Sequence, residues 1–233
     1  MHARLISYSQ PFPHIHSGEP GIMGLDNIQD LVAYCARVSN PSNQANTKTT
    51  PKLLDYLIKH KHWSPFEMAS VCIEIETTRD IARQLLRHRS FSFQEFSQRY
   101  ADIRDLDDSV VIRKARLQDT KNRQNSIDVD DADLQKRWED LQRNVIFAAK
   151  HAYKCAIEMG IAKEQARAVL PEGNTVSRLY VNGTIRSWIH YIELRSANGT
   201  QKEHMELALA VAEAIARIYP KVLEFTNDGT DNT

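Results

Sequence analysis

Cysteine is scarce: three residues, Cys35, Cys72 and Cys155, stand far apart with no Cys-x-x-Cys pair. Neither a disulfide framework nor a zinc knuckle fits that spacing, and a reduced cytoplasmic setting is the expectation. Glycine is also sparse, at 8 residues, and none sits in a G-x-G-x-x-G or G-x-x-x-x-G-K-[ST] loop. A Rossmann or P-loop phosphate cradle is therefore not expected, so any nucleotide phosphate has to be gripped by side chains, arginine above all. No stretch nears the roughly 18 apolar residues of a membrane span, and MHARLISYSQPFPHIHSG has no apolar signal core; a soluble chain with no membrane partner is expected. Nor is there a surplus of either charge: 30 Lys+Arg balance 30 Asp+Glu. General binding of nucleic acid rests on excess cations, so no nucleic-acid partner is expected. His60 and His62 are two apart and have neither an H-E-x-x-H frame nor a carboxylate triad, so no metal site is expected.

What is present suffices for a sizeable core, since 42% of the 233 residues are hydrophobic. A Pro/His/Gly-rich opening runs through Gly24, a helix is expected over Leu25–Val38, and SNPSNQANTKTT reads as a loop. Pro51 suits the first turn of a second helix. Val71, Ile73 and Ile75 alternate with Cys72, Glu74 and Glu76, the period of a half-buried strand. From Thr78 the period turns helical, with Asp80, Gln84 and Arg87 on one face. Residues 105–135 are polar and read as an exposed excursion. A long helix is expected from Asp133 to Met159 with Gly160 as its stop, and another from Lys163 to before Pro171. A strand over Thr175–Val181 closed by an Asn182-Gly183 turn follows, then helices over Thr184–Leu194 and Gln201–Tyr219. Without repeats, this reads as one helix-rich α+β domain over residues 1–233, with a central antiparallel or mixed sheet.

One stretch asks for a function. RHRSFSFQEFSQRY, Arg87 to Tyr100, interleaves three arginines with Phe91, Phe93 and Phe96. Salt bridges on solvated helix faces would account for many of the chain's arginines, but such a face has little reason to alternate charges with rings. A planar heteroaromatic ring with a phosphate tail meets that combination in a pocket, and a purely structural loop stays open beside it. Ser97 has His88 and Glu95 near it in sequence, yet no G-x-S-x-G elbow, so a phosphate donor is a more economical role than nucleophile. A nucleic-acid module stacking bases on the same rings is the alternative from another class.

At these residues the chain resembles the flavin-dependent thymidylate synthases, the ThyX family, whose fingerprint is RHRxxSxNExSxRY. Arg87-His88-Arg89, Ser92, Glu95, Ser97, Arg99 and Tyr100 fall in register. Companion motifs follow in order: Ala36-Arg37-Val38-Ser39, His62-Trp63-Ser64-Pro65-Phe66-Glu67, Ala166 to Pro171, and Arg186 to Arg195 with Gln201 and Glu203 beyond. The resemblance implies the family's own α/β fold, a homotetramer with shared active sites, and conversion of dUMP to dTMP. It implies 5,10-methylenetetrahydrofolate as carbon donor and NADPH acting through FAD as hydride source. By position it assigns FAD contacts to Ser64, Arg87, His88, Arg89, Glu95, Thr184, Arg186 and His190, with His62 near the flavin. It assigns dUMP contacts to Gln84, Arg87, Glu95, Ser97, Gln98, Arg99 and Arg167, and gives Arg195 the role of polarising the uracil. Gln94 and Thr184 stand where the family usually has Asn, and Met68 where it usually has His.

Overall fold

In the computed structural model, which describes residues 1–12, 25–102 and 110–227, four antiparallel strands form the sheet. Their order is β1 (His2–Tyr8), β2 (Ser70–Thr78), β6 (Val176–Thr184) and β3 (Ser92–Glu95). The centre is the β2–β6 ladder, in register from Ser70 opposite Thr184 to Thr78 opposite Val176. Val71, Ile73 and Ile75 are fully buried from one face of β2, as their alternation requires. Glu74 is buried too, and pairs with Arg4 of β1 at 2.8 Å. Two helices cover the apolar face, α6 (Ile185–Arg195) and α7 (Lys202–Ala216). Their Trp188, Ile189, Ile192, Leu207, Val211 and Ile215 join the strand residues in one core. Two earlier helices, α1 (Ile28–Ala36) and α2 (Thr50–Lys59), supply Ile28, Val32 and Leu54 to the same core.

Helix ends follow local chemistry. α1 is shorter than the expected 25–38 because Asn27 caps it, its Oδ1 accepting from the backbone N–H of Gln29 and Asp30 at 2.9 and 3.0 Å. The long helix α4 (Ala132–Glu158) is capped by Asp131 and ends before Gly160, whose φ of +80° suits glycine.

Several expectations are corrected. The proline-rich opening contains β1, whose Ala3 and Leu5 pack on the core; too few residues separate it from polar sequence for the period to stand out. Asn182-Gly183 is not a turn: both lie inside β6, with Asn182 opposite Cys72 and Ser92. Glycine is needed there because a Cβ would lie 2.2 Å from Cδ1 of Phe91. Ser92–Glu95, read as loop, is an edge strand on β6. Within the 105–135 excursion, residues 105–109 lie outside the described set, while Arg116–Gln118 (β4) and Ser126–Asp128 (β5) pair as a hairpin. Side-chain amides of α4 hold that segment: Gln142 Oε1 accepts from Arg113 N, and Gln135 Oε1 from Ala115 N. The helix expected from Lys163 is one turn, α5 (Lys163–Ala166), followed by a 3-10 turn over Arg167–Val169. The last expected helix ends at Ala216 and continues as a 3-10 turn over Pro220–Phe225.

Candidate active site

Helix α3 (Arg79–Leu85), which follows directly from the central strand β2, ends where RHRSFSFQEFSQRY begins, and α6 runs alongside that loop. α6 starts at Thr184, whose Oγ1 accepts from Ser187 N. Ser187, Tyr191 and Arg195 then recur at a spacing of four and form one stripe. Ser187 Oγ donates to the carbonyl of Ser90 at 3.3 Å. The Tyr191 ring meets His88 edge-on, with centroids 5.1 Å apart. Arg195 Nε donates to His88 Nε2 at 3.0 Å, which makes that nitrogen an acceptor and leaves the proton on Nδ1. Burial first, and the Arg195 charge second, lower the His88 pKa to about 4. The histidine is therefore neutral near pH 7.

Arg195 itself is not neutralised. Among the described residues no carboxylate comes within ion-pair distance, and its bond to His88 is its single hydrogen bond, so both terminal amino groups remain available. Beside it lies His204, fully buried on α7, whose pKa is lowered to about 3 by burial, Arg195 and His88 in that order. His204 Nε2 and the Tyr191 hydroxyl are buried without a hydrogen-bond partner.

A chain of polar contacts fixes Gln84. Its Oε1 pairs with His204 Nδ1 at 3.1 Å and its Nε2 donates to Gln201 Oε1 at 2.8 Å. Gln201 Nε2 donates in turn to Glu203 at 3.0 Å, and Glu203 accepts twice from Arg116 Nη2 of the hairpin, at 2.7 and 2.9 Å. Because every link has a defined donor, the chain sets the orientation of both amides. Sequence reading named Gln84, Gln201 and Glu203 but missed Tyr191, His204 and Arg116, which look like core and surface residues until the fold brings them together.

A second group lies near the start of α6. Arg186 is ion-paired with Glu67, and His190 meets Trp63 edge-on at 4.9 Å. Burial, then Arg186, lowers the His190 pKa. Ser64 opens the 3-10 turn Ser64–Met68 that carries Glu67, and exposed His62 lies 6.0 Å from the Tyr56 ring. Arg87 and Arg89 flank His88 on the exposed side with no ion pair among the described residues.

Glu95, Ser97, Arg99 and Arg167 are tied to partners of their own. Glu95 is held by Ser177 Oγ at 2.9 Å, Arg79 at 3.5 Å and Arg83 at 3.6 Å, while Glu172 bridges the same two arginines. Arg99 lies 3.5 Å from Glu164, whose backbone carbonyl accepts from Arg167. Ser97 Oγ accepts from Arg99 N, and Gln98 is buried with Nε2 unpartnered. The fold thus joins Gln84, His88 and Arg195, and separately Arg186 with His190 and Arg99 with Arg167. Uncompensated guanidiniums beside a neutral imidazole and an aromatic pair suit a flavin, whose diphosphate needs cations and whose ring needs flat partners. Among the described residues no group of three or more His, Cys, Asp or Glu could hold a metal ion, and no helix is long and apolar enough to cross a membrane.

Comparison with known proteins decides the family. A family model described as thymidylate synthase complementing protein matches residues 23–221. The probable flavin-dependent thymidylate synthase of Paramecium bursaria Chlorella virus 1 is 48% identical over 222 residues, covering 95% of this chain and 97% of that protein. The chain belongs to the flavin-dependent thymidylate synthase family. A flavin-dependent thymidylate synthase of Synechocystis sp. is 47% identical over the same share of this chain. In three dimensions the chain is similar to the UMP/dUMP methylase PolB of Streptomyces cacaoi, solved with 5-Br dUMP: TM-score 0.75, 26% identity, 96% of this chain and 93% of that one. The α+β fold is thus one that a flavin-dependent thymidylate synthase shares with a nucleotide methylase.

For this flavin-dependent thymidylate synthase family member the buried histidines set an acid limit. His88 and His204 have native pKa values of about 4 and about 3, below the ordinary 6.5, so between those values the unfolded chain binds more protons than the native one. Stability is full above about 6.5 and declines as pH falls through that window. Thermal melts from pH 7 to 4 should show the decline, and His204→Asn should flatten it; an unchanged slope would remove His204 as its source.

Proposed function

We propose that this protein converts dUMP to dTMP by reductive methylation, with 5,10-methylenetetrahydrofolate as carbon donor and NADPH as reductant of its FAD. The observation that carries the reading is Arg195, an unneutralised guanidinium pinned against His88 of the RHR motif at 3.0 Å. When bound, FAD supplies the hydride that completes the methyl group. Ser64, Arg87, His88, Arg89, Glu95, Thr184, Arg186 and His190 are the residues that would hold it, with His62 nearby. Thr184 caps α6 with its side chain, so its contact to a flavin would come through a hydroxyl where relatives present an amide.

Gln84, Arg87, Glu95, Ser97, Gln98, Arg99 and Arg167 would bind dUMP. Arg99 and Arg167, both meeting at Glu164, supply the charge-assisted donors for a phosphate. Arg195 directs its free terminal donors at the uracil, stabilises negative charge when N3 loses its proton, and so raises the nucleophilicity of the ring carbon. His88, neutral, accepts the Arg195 Nε–H and holds the guanidinium without neutralising it. No enzyme nucleophile is needed. A homotetramer with shared sites, in the cytoplasm, is the arrangement that the family resemblance implies.

The test is direct. Purified protein given FAD should show the flavin absorption bands, and with dUMP, methylenetetrahydrofolate and NADPH should form dTMP. Protein that takes up no flavin, or holds flavin and leaves dUMP unchanged, overturns the proposal.

A further inference from the structure

One carboxylate sets the direction of every proton in the polar chain that ends at Gln84 and His204. Glu203 is buried in the first turn of α7 and accepts from Arg116 Nη2 at 2.7 and 2.9 Å. Burial pushes its carboxyl up, but its own backbone N–H, Gln201 and Arg116 hold it below the ordinary value, so it is ionised near pH 7. An ionised carboxylate can only accept. Gln201 must therefore turn its NH2 towards Glu203, at 3.0 Å, and its carbonyl oxygen towards Gln84. Gln84 must then donate to that oxygen and present its own oxygen to His204, 3.1 Å away. His204, being neutral, has to carry its proton on Nδ1 and keep a lone pair on Nε2.

Arg116 reaches this carboxylate from the β4–β5 hairpin, which is tied down on both flanks. Lys202 of α7 pairs with Asp128 of β5, and Asn125 Nδ2 donates to Asn198 Oδ1 at 2.9 Å. On the other flank Gln135 of α4 exchanges bonds with the backbone of Ala115, at 2.8 and 3.0 Å. The Arg116–Glu203 pair is also sheltered from water, its side chains being only 17% and 11% exposed. A pair so enclosed is screened little by salt, and it holds the carboxylate in one place.

We propose that Glu203 and Arg116 are positioning residues for the pyrimidine nucleotide, acting through Gln201 to fix which way round the Gln84 amide meets it. The inference deepens the proposed reaction and rests on Gln84 as a dUMP contact. With two bonds made inside the protein, Gln84 has one N–H and one oxygen lone pair left. The chain cannot run backwards while residue 203 is a carboxylate, so that donor and that acceptor keep fixed places. A pre-set amide spares the nucleotide the cost of ordering it on binding. The polar hairpin thereby takes part in the reaction, although none of the expected contact residues lies in it.

Two substitutions of Glu203 in the full chain separate proton order from shape. Glu203→Gln keeps the size but can donate as well as accept, so the chain can run either way; Glu203→Asp is one methylene shorter and still only accepts. Without substrate, nitrogen-15 NMR of labelled histidine should find His204 as the Nδ1–H tautomer in the parent and in Glu203→Asp, and should find the Nε2–H form populated in Glu203→Gln. Binding of dUMP should weaken by about 10-fold in Glu203→Gln and by no more than about 3-fold in Glu203→Asp, with flavin uptake like the parent in both. Arg116→Met, which removes the cation, should also weaken dUMP binding by about 10-fold, and Arg116→Lys by less. Aspartate more damaging than glutamine, a His204 tautomer unmoved in Glu203→Gln, or parent-like dUMP binding in Glu203→Gln or Arg116→Met overturns the proposal. A parent that binds no dUMP overturns the functional reading and the positioning role with it, whereas the tautomers report the direction of the chain whether or not nucleotide binds.

Discussion

Replacing Arg195 with alanine is expected to lower turnover by about 100- to 1000-fold while flavin retention stays close to that of the parent, the scale for removing a preorganised donor aimed at developing charge. The expectation follows from where the guanidinium sits. It is half-buried at the C-terminal end of α6, where a cation is favoured, and among the described residues no carboxylate lies within ion-pair distance of it. Its one hydrogen bond among the described residues, to His88, orients it without cancelling its charge. Arg195→Lys would keep the charge and lose the forked donors, so its turnover should fall between the two. Steady-state rates with the bound flavin measured by absorbance separate the cases: alanine turnover equal to the parent rejects Arg195 as the polarising group, and loss of flavin with turnover recovered by excess FAD makes it a cofactor contact instead.

Trp188→Ala is expected to cost about 3–5 kcal/mol, a large part of the total stability of an ordinary domain. Trp188 is fully buried at the point where α6 crosses the sheet, and its Nε1 donates to the carbonyl of Val71 at 3.0 Å. It packs against Phe91 at 4.4 Å and Tyr191 at 5.9 Å, so the same ring supports the RHR loop and the helix that bears Arg195. Alanine leaves a cavity and strands a carbonyl. Urea denaturation should show the loss, and Trp188→Phe, which fills most of the space, should recover much of it. A loss below about 1 kcal/mol for alanine would mean that the neighbours collapse into the space.

The elements most legible in the sequence were those with a long, regular period. α4 ends where Gly160 says it should, and β2 shows its alternation because Val71, Ile73 and Ile75 all enter the core from one face. Legibility failed where one residue answers to a distant partner. Asn182-Gly183 has the composition of a turn, but the glycine is demanded by the Phe91 ring, a tertiary contact that no local rule contains. The site shows the same division. RHR and Arg195 are readable because arginine beside aromatic residues is unusual chemistry, and because the motifs match a family in order. His204, Tyr191 and Arg116 are not, since a histidine and a tyrosine on buried helix faces look like core until the sheet brings α7 against α3.

The bonds that close the site are very long in sequence. Arg195 reaches back 107 residues to His88, and His204 reaches back 120 to Gln84. Contacts of such separation carry a large loop-closure entropy, which must be overcome before they contribute. A chain that has not yet placed its last two helices has RHR but nothing to aim it, so partly folded copies carry no half-assembled chemistry. Reactivity arrives together with completion of the fold.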